Sequence, residues 1–88
     1  MNKKEIDPWL RRLLASNLRR IRIEKAVTQE DLSDQSGFHR TYVSQVERSM
    51  ANVSIDNLQR LAEALGVSPL ALLRPDEPEV DKTHSPAA

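Results

Sequence analysis

Arg40, Thr41, Ser44, Gln45 and Arg48 all bear side chains that donate hydrogen bonds, and all fall within one short segment. At 3.6 residues per turn their spacing gathers them on one helix face, with Val43 and Val46 on the other. A helix built this way buries one side and offers donors and acceptors on the other. Its chemistry is hydrogen-bonded recognition, and its size fits the major groove of DNA, where each base pair shows its own donor and acceptor pattern. Other chemistries are poorly provided for. Cysteine is absent, so no thiolate can bind zinc. His39 and His84 lie far apart and lack metal-ligand spacing. There is no glycine-rich phosphate loop and no clustered acid–base pair. An enzyme is not expected, nor are a metal, a cofactor or a small-molecule ligand.

The polar face needs a partner element to aim it. Gly37-Phe38-His39 is a tight turn between two short helical segments, the mark of a helix-turn-helix spanning Gln29 to Arg48. Two helices crossing steeply require a small residue early in the first, and Ser33 supplies it. The turn requires a positive φ, which Gly37 accepts without steric cost. Leu32, Phe38, Val43 and Val46 have the spacing to dock both helices on a core.

The remaining sequence is helical in its apolar spacing, so the chain is expected to be all-α, with five helices. Asp7 reads as an N-cap and Pro8 as the first residue of a long helix running to about Lys25. Leu10, Leu13, Leu14, Leu18 and Ile21 mark its inner face. Thr28 caps the second helix, with Asp31 at the capping-box position. Apolar pairs flank each later cap: Val27 with Leu32, Phe38 with Val43 around His39, Val53 with Leu58 around Ser54, and Val67 with Leu72 around Ser68. Pro69 follows Ser68 as a first helical residue. Gly37 and Gly66 supply stops. A single domain over residues 8–74 is expected, followed by a disordered tail over 75–88 rich in proline and acidic residues. Residues 1–6 are expected to be loose.

The 88 residues carry no net charge, yet the distribution is uneven. Residues 1–48 hold ten Lys/Arg against seven Asp/Glu, and residues 49–88 hold three against six. DNA affinity depends on a local basic face and not on the total, so the split fits such a partner, and it reads equally as chance. No apolar run approaches the roughly 20 residues that span a bilayer. A cytoplasmic protein is expected, without a membrane partner.

QEDLSDQSGFHRTYVSQVER, residues 29–48, resembles the helix-turn-helix of the XRE or phage-repressor family. The resemblance extends through LRRIRIEKAVTQEDL before it and IDNLQRLAEALGVSPLALL after it, covering residues 14–73. It is greatest to small stand-alone repressors and restriction-modification controller proteins. It implies a compact five-helix domain that binds double-stranded DNA as a symmetric homodimer on an inverted-repeat operator. It implies that Arg40, Thr41 and Gln45 read bases. Arg40 would donate twice to guanine and Gln45 would pair with adenine. Ser44 and Tyr42 belong to the same face. Gln29, Arg48 and Asn52 would grip phosphates. His39 departs from the Ser, Thr or Asp commoner at this cap and reads chiefly as a solvent-facing cap residue, with donation to a phosphate when protonated as the alternative. Arg22 and Glu47 match a buried ion pair tying the first helix to the third. Leu70, Leu72 and Leu73 cannot all be buried in so small a protomer, and exposed leucines suggest a partner surface; the resemblance implies that the last helix, through these residues, forms the dimer contact. Relatives often have glycine where Ala26 stands and near Ser49, which suggests altered turns at both places.

Trp9 reads as a core lid. Arg11, Arg12, Arg19 and Arg20 read equally as a solvated face or as contacts to a DNA backbone. The main alternative to a transcription regulator is an antitoxin-like module that neutralises a protein partner and binds DNA only to regulate itself.

Overall fold

The computed structural model describes residues 5–75. The helices are α1 Trp9–Glu24, α2 Gln29–Ser36, α3 Arg40–Glu47 and α4 Ile55–Leu65, followed by a 3-10 helix, Pro69–Leu72. There is no strand among the described residues. The tail expected from residue 75 onward lies outside them, apart from Pro75 itself, and so do residues 1–4 of the N-terminal segment.

The cap grammar accounts for most boundaries. At α2 the Asp31 amide donates to Thr28 Oγ1 (2.9 Å) and the Thr28 amide donates to Asp31 Oδ2 (3.0 Å), a reciprocal capping box. The Thr28 amide, then its hydroxyl, hold the exposed Asp31 carboxyl below the usual carboxylate range. Ser54 accepts from the Asn57 amide at 3.0 Å to start α4. Ser68 accepts from the Leu70 amide at 3.1 Å. His39 makes no side-chain cap bond at α3.

Two expectations are corrected here. Asp7 does not cap α1. Pro8 stands at the N-cap without a side-chain bond, and the Asp7 carboxylate pairs instead with Arg12 at 2.8 Å. The fifth helix is a 3-10 turn, not an α-helix. Its bonds run from Ala71 N to Ser68 O and from Leu73 N to Leu70 O, the tighter i to i+3 pattern. Asn17 explains the stop. Its Nδ2 donates to the carbonyls of Leu72 (2.9 Å) and Arg74 (2.8 Å), the groups a longer helix would have used internally.

Gly37 (φ 83°) and Gly66 (φ 71°) are left-handed, as their stops demand. So are Ala26 (φ 58°) and Ser49 (φ 62°). Both keep the left-handed conformation that glycine favours, although neither is glycine. The Val27 amide bonds to the Arg22 carbonyl and the Ala26 amide to that of Ile23, a Schellman closure. Met50 to Gln45 and Ser49 to Val46 repeat it after α3. Each non-glycine residue bears steric strain from its Cβ. Ala26→Gly is expected to raise stability by about 0.5–1 kcal/mol, the strain relieved less the extra chain entropy. A melting curve tests this: the midpoint should rise by roughly 2–8 °C.

The core is Leu14, Leu18 and Ile21 of α1, Leu32 of α2, Val43 and Val46 of α3, Leu61, Ala62 and Leu65 of α4, and Leu72. α3 packs on α1 and α2, α2 also packs on α4, and the 3-10 helix rests on α4 and α1. Trp9 is 60% exposed and is not a core lid. Among the described residues, no helix is long and apolar enough to cross a membrane.

Candidate nucleic-acid interface

The turn before α3 is closed by side chains as well as by Gly37. Ser33 Oγ donates to the Phe38 carbonyl, and the Phe38 amide donates to Ser36 Oγ at 3.2 Å. Ser33 is thus small enough for the crossing and also a fastener. With Val43 and Val46 sealed in the core, α3 can roll in only one way. Arg40 and Thr41 are then exposed, and Ser44 and Gln45 half-buried. At 100° per residue these four share an arc of about 140° facing away from the core. Arg48, Asn52 and His39 are exposed beyond the two ends of α3. No ion pair among the described residues engages Arg40 or Arg48, so both guanidinium groups remain available to a partner.

Tyr42 departs from the expected base-reading set. It is half-buried, with its ring 4.8 Å from that of Phe38 at 54°. Its hydroxyl accepts from Asn57 Nδ2 at 3.0 Å. Arg60 lies over the Phe38 ring at 5.2 Å. Tyr42 therefore ties α3 to α4 and is turned off the outer arc, because its position lies next to that of buried Val46 on the helix wheel. Its hydroxyl proton is left to donate elsewhere.

Arg22 and Glu47 meet as a bidentate pair: Nε to Oε2 at 2.6 Å and Nη2 to Oε1 at 2.9 Å. Their side chains are 11% and 3% exposed. Arg22 Nη1 also donates to the Val27 carbonyl at 2.9 Å, so the α1–α2 turn joins the same knot. The hydrogen bond to Glu47 outweighs desolvation and holds the Arg22 guanidinium above its usual range, so it stays charged. Gln29 Nε2 donates to Glu47 Oε1 at 3.1 Å. The expected phosphate-gripping glutamine is thus already fastened to the end of α3.

The expected dimer contact does not survive intact. Leu72 is fully buried within the protomer and Leu73 is half-buried, because the 3-10 turn points both at α1 and α4. Of the three, Leu70 at 66% is the one largely exposed. A larger apolar surface adjoins Leu73, which is part of its lining. Ile6, Trp9 and Leu10 face Ala51, Val53 and Ile55 across an open groove of about 540 Å³. Trp9 (60%) and Ile55 (79%) are largely exposed at it.

Sequence reasoning missed Asn17, Asn57 and Arg60. Asn17 was within reach. It lies three residues after Leu14 and four before Ile21, so it falls on the buried stripe, where a polar side chain needs partners. It is fully buried and fully engaged, with Oδ1 accepting from Arg20 Nη2 at 3.0 Å. Nothing in the sequence pointed to Asn57 or Arg60. Arg12 and Arg20 are held by Asp7 and Glu24 on their own helix or beside it, which favours a solvated face for them.

Comparison with known proteins places the fold in a family. The helix-turn-helix family profile matches residues 18–72. A Neisseria meningitidis protein described as a hypothetical transcription factor is 46% identical over 68 residues, 77% of this chain. The matched region spans 64% of that relative's own length. Control protein C.BamHI of Bacillus amyloliquefaciens is 43% identical over 65 residues, 73% of this chain and 80% of its own. The crystal structure of the Neisseria factor superposes with TM-score 0.73 at 42% identity, over 85% of this chain and 87% of that one. The restriction-modification controller protein C.Esp1396I, as a tetramer with its natural 35 base-pair operator, superposes with TM-score 0.71 at 35% identity. That match covers 75% of this chain and 87% of the other. The chain belongs to the XRE-type helix-turn-helix family of DNA-binding transcription regulators.

Proposed function

We propose that this regulator binds an inverted-repeat operator as a homodimer, with α3 of each copy in a major groove one helical turn apart. The observation that carries the reading is the outer arc of α3. Arg40, Thr41, Ser44 and Gln45 stand together on a helix whose roll is set by Val43 and Val46, with Arg40 in no ion pair among the described residues. Arg40 has the geometry to donate twice to guanine and Gln45 to pair with adenine. Gln29, Arg48, Asn52 and His39 flank the arc and serve the phosphates, which set register without reading sequence. The tetramer of C.Esp1396I on its operator supports assembly of more than one copy on DNA. The role is one of binding and not of catalysis, in the cytoplasm, with no small-molecule effector.

The test is selection of random duplex DNA by the purified protein at near-physiological salt. An inverted repeat should be enriched. Arg40→Ala and Gln45→Ala should each cost about 1–3 kcal/mol on that site and relax the preference at one base pair. Absence of any enrichment would defeat the operator reading and favour an antitoxin-like protein partner. Dimerisation is checked separately by sedimentation. A dimer is expected at tens of micromolar protein, and monomer alone would remove the two-fold arrangement.

A further inference from the structure

Gln29 is the first residue of α2 and Glu47 the last of α3, so they sit at opposite ends of the recognition unit. Their side chains nevertheless meet at 3.1 Å, on a carboxylate that is only 3% exposed and already holds Arg22. We propose that Glu47 is a positioning residue for phosphate binding: its carboxylate holds the Gln29 amide so that its second N–H faces a DNA phosphate. The inference rests on the proposed phosphate contact of Gln29.

The chemistry follows from donor and acceptor counts. An ionised carboxylate only accepts, whereas an amide has a donor end and an acceptor end. Glu47 therefore selects the nitrogen end of Gln29 and repels its carbonyl. The amide nitrogen carries two hydrogens, and one remains after Glu47 has taken the other. A free glutamine would have to be frozen when DNA arrives. Here that rotamer entropy is lost on folding instead, which favours the bound state. Arg22 Nη1, on the Val27 carbonyl just before the α2 cap, anchors the start of α2 to the same carboxylate. The phosphate grip and the end of the recognition helix thus share one buried post, and a displacement of either is felt by the other.

The test uses Gln29→Ala, Glu47→Gln and the double variant, each as the full chain, titrated against an unrelated duplex and melted in parallel. The unrelated duplex reports phosphate contacts without base reading. Gln29→Ala is expected to weaken binding about tenfold with little change in melting. Glu47→Gln should weaken it by a similar factor, and the double variant should bind no worse than Gln29→Ala. That non-additivity, about tenfold, is the signature of coupled groups. Melting should behave otherwise: the double variant should melt with Glu47→Gln. Losses in binding that multiply would overturn the positioning role and leave the Gln29 contact standing. No loss in Gln29→Ala would overturn both. Should Glu47→Gln unfold at the assay temperature, the unliganded wild-type protein decides. The Gln29 side-chain amide should show an NMR order parameter near the rigid value of about 0.85, and one below about 0.6 overturns the proposal.

Discussion

Glu47→Ala is expected to lower stability by about 3–5 kcal/mol, the cost of leaving one partner of a buried ion pair alone. For a domain of this size that corresponds to a fall in melting midpoint of roughly 12–40 °C. It would consume most of the margin of a small fold. The magnitude rests on burial. The Glu47 side chain is 3% exposed and that of Arg22 11%, so solvent cannot replace the lost carboxylate. An exposed pair such as Arg12–Asp7, with side chains 53% and 70% exposed, is worth far less. Three donors lose their acceptor at once: Arg22 Nε, Arg22 Nη2 and Gln29 Nε2. Two controls separate the pair's geometry from its charge. Replacing both residues with apolar ones, Arg22→Met with Glu47→Leu, should recover much of the loss, since no charge is then stranded. The recovery should be incomplete, because the Val27 carbonyl and the Gln29 amide still lose their partner. Added salt should change the wild-type melting little, as a buried pair is weakly screened. An unchanged melting midpoint in Glu47→Ala, followed by circular dichroism, would show that the pair does not hold α3 in place. DNA binding by this variant should fail chiefly because α3 is no longer held, at temperatures where the wild type is intact.

Local rules carried most of the fold. The Thr28–Asp31 box, the Ser54 and Ser68 caps and the Gly37 and Gly66 stops act within a few residues, so the sequence states them openly. The roll of α3 was legible for the same reason, since Val43 and Val46 define its inner side. What escaped was set by side-chain partners that cap and turn rules leave out, some of them far along the chain. Asp7 has the right type for a cap, but Arg12 competes for its carboxylate. Tyr42 lies in the recognition segment, yet Phe38 and Asn57 draw it away from the outer arc. The left-handed turns at Ala26 and Ser49 show the opposite case, where the backbone closure of α1 and of α3 overrides a residue type that resists it. The end of the domain was the least legible. Three leucines in a short apolar stretch look alike in sequence, and the turn that sends Leu72 inward is fastened by a distant side chain, Asn17, on the Leu72 and Arg74 carbonyls.

That sorting of the leucines makes Leu72→Ala the second large-effect variant. Leu72 is fully buried, whereas Leu70, two residues earlier, is 66% exposed. Truncating a fully enclosed leucine typically costs about 2–5 kcal/mol, depending on how far the site can collapse. Little collapse is available here. The 3-10 helix is pinned to α1 by Asn17, which holds the Leu72 and Arg74 carbonyls. It cannot slide inward between α1 and α4 without breaking those bonds, so the upper half of the range is expected. Leu70→Ala should leave the stability of the protomer within about 0.5 kcal/mol, as surface substitutions usually do. Protein concentration separates a core role from an interface role. If Leu72 belongs to the core, Leu72→Ala should lower the melting midpoint by a similar amount at every concentration, because the damage is internal to one chain. If it belongs to a dimer contact, the deficit should vary with concentration and sedimentation should show dissociation with little loss of helix. The first pattern would place self-association on surfaces that remain open, Leu70 and the groove between Trp9 and Ile55. Trp9→Ala would then be the variant to dissociate the dimer, since a large aromatic at the centre of an interface commonly carries more than 2 kcal/mol of binding energy.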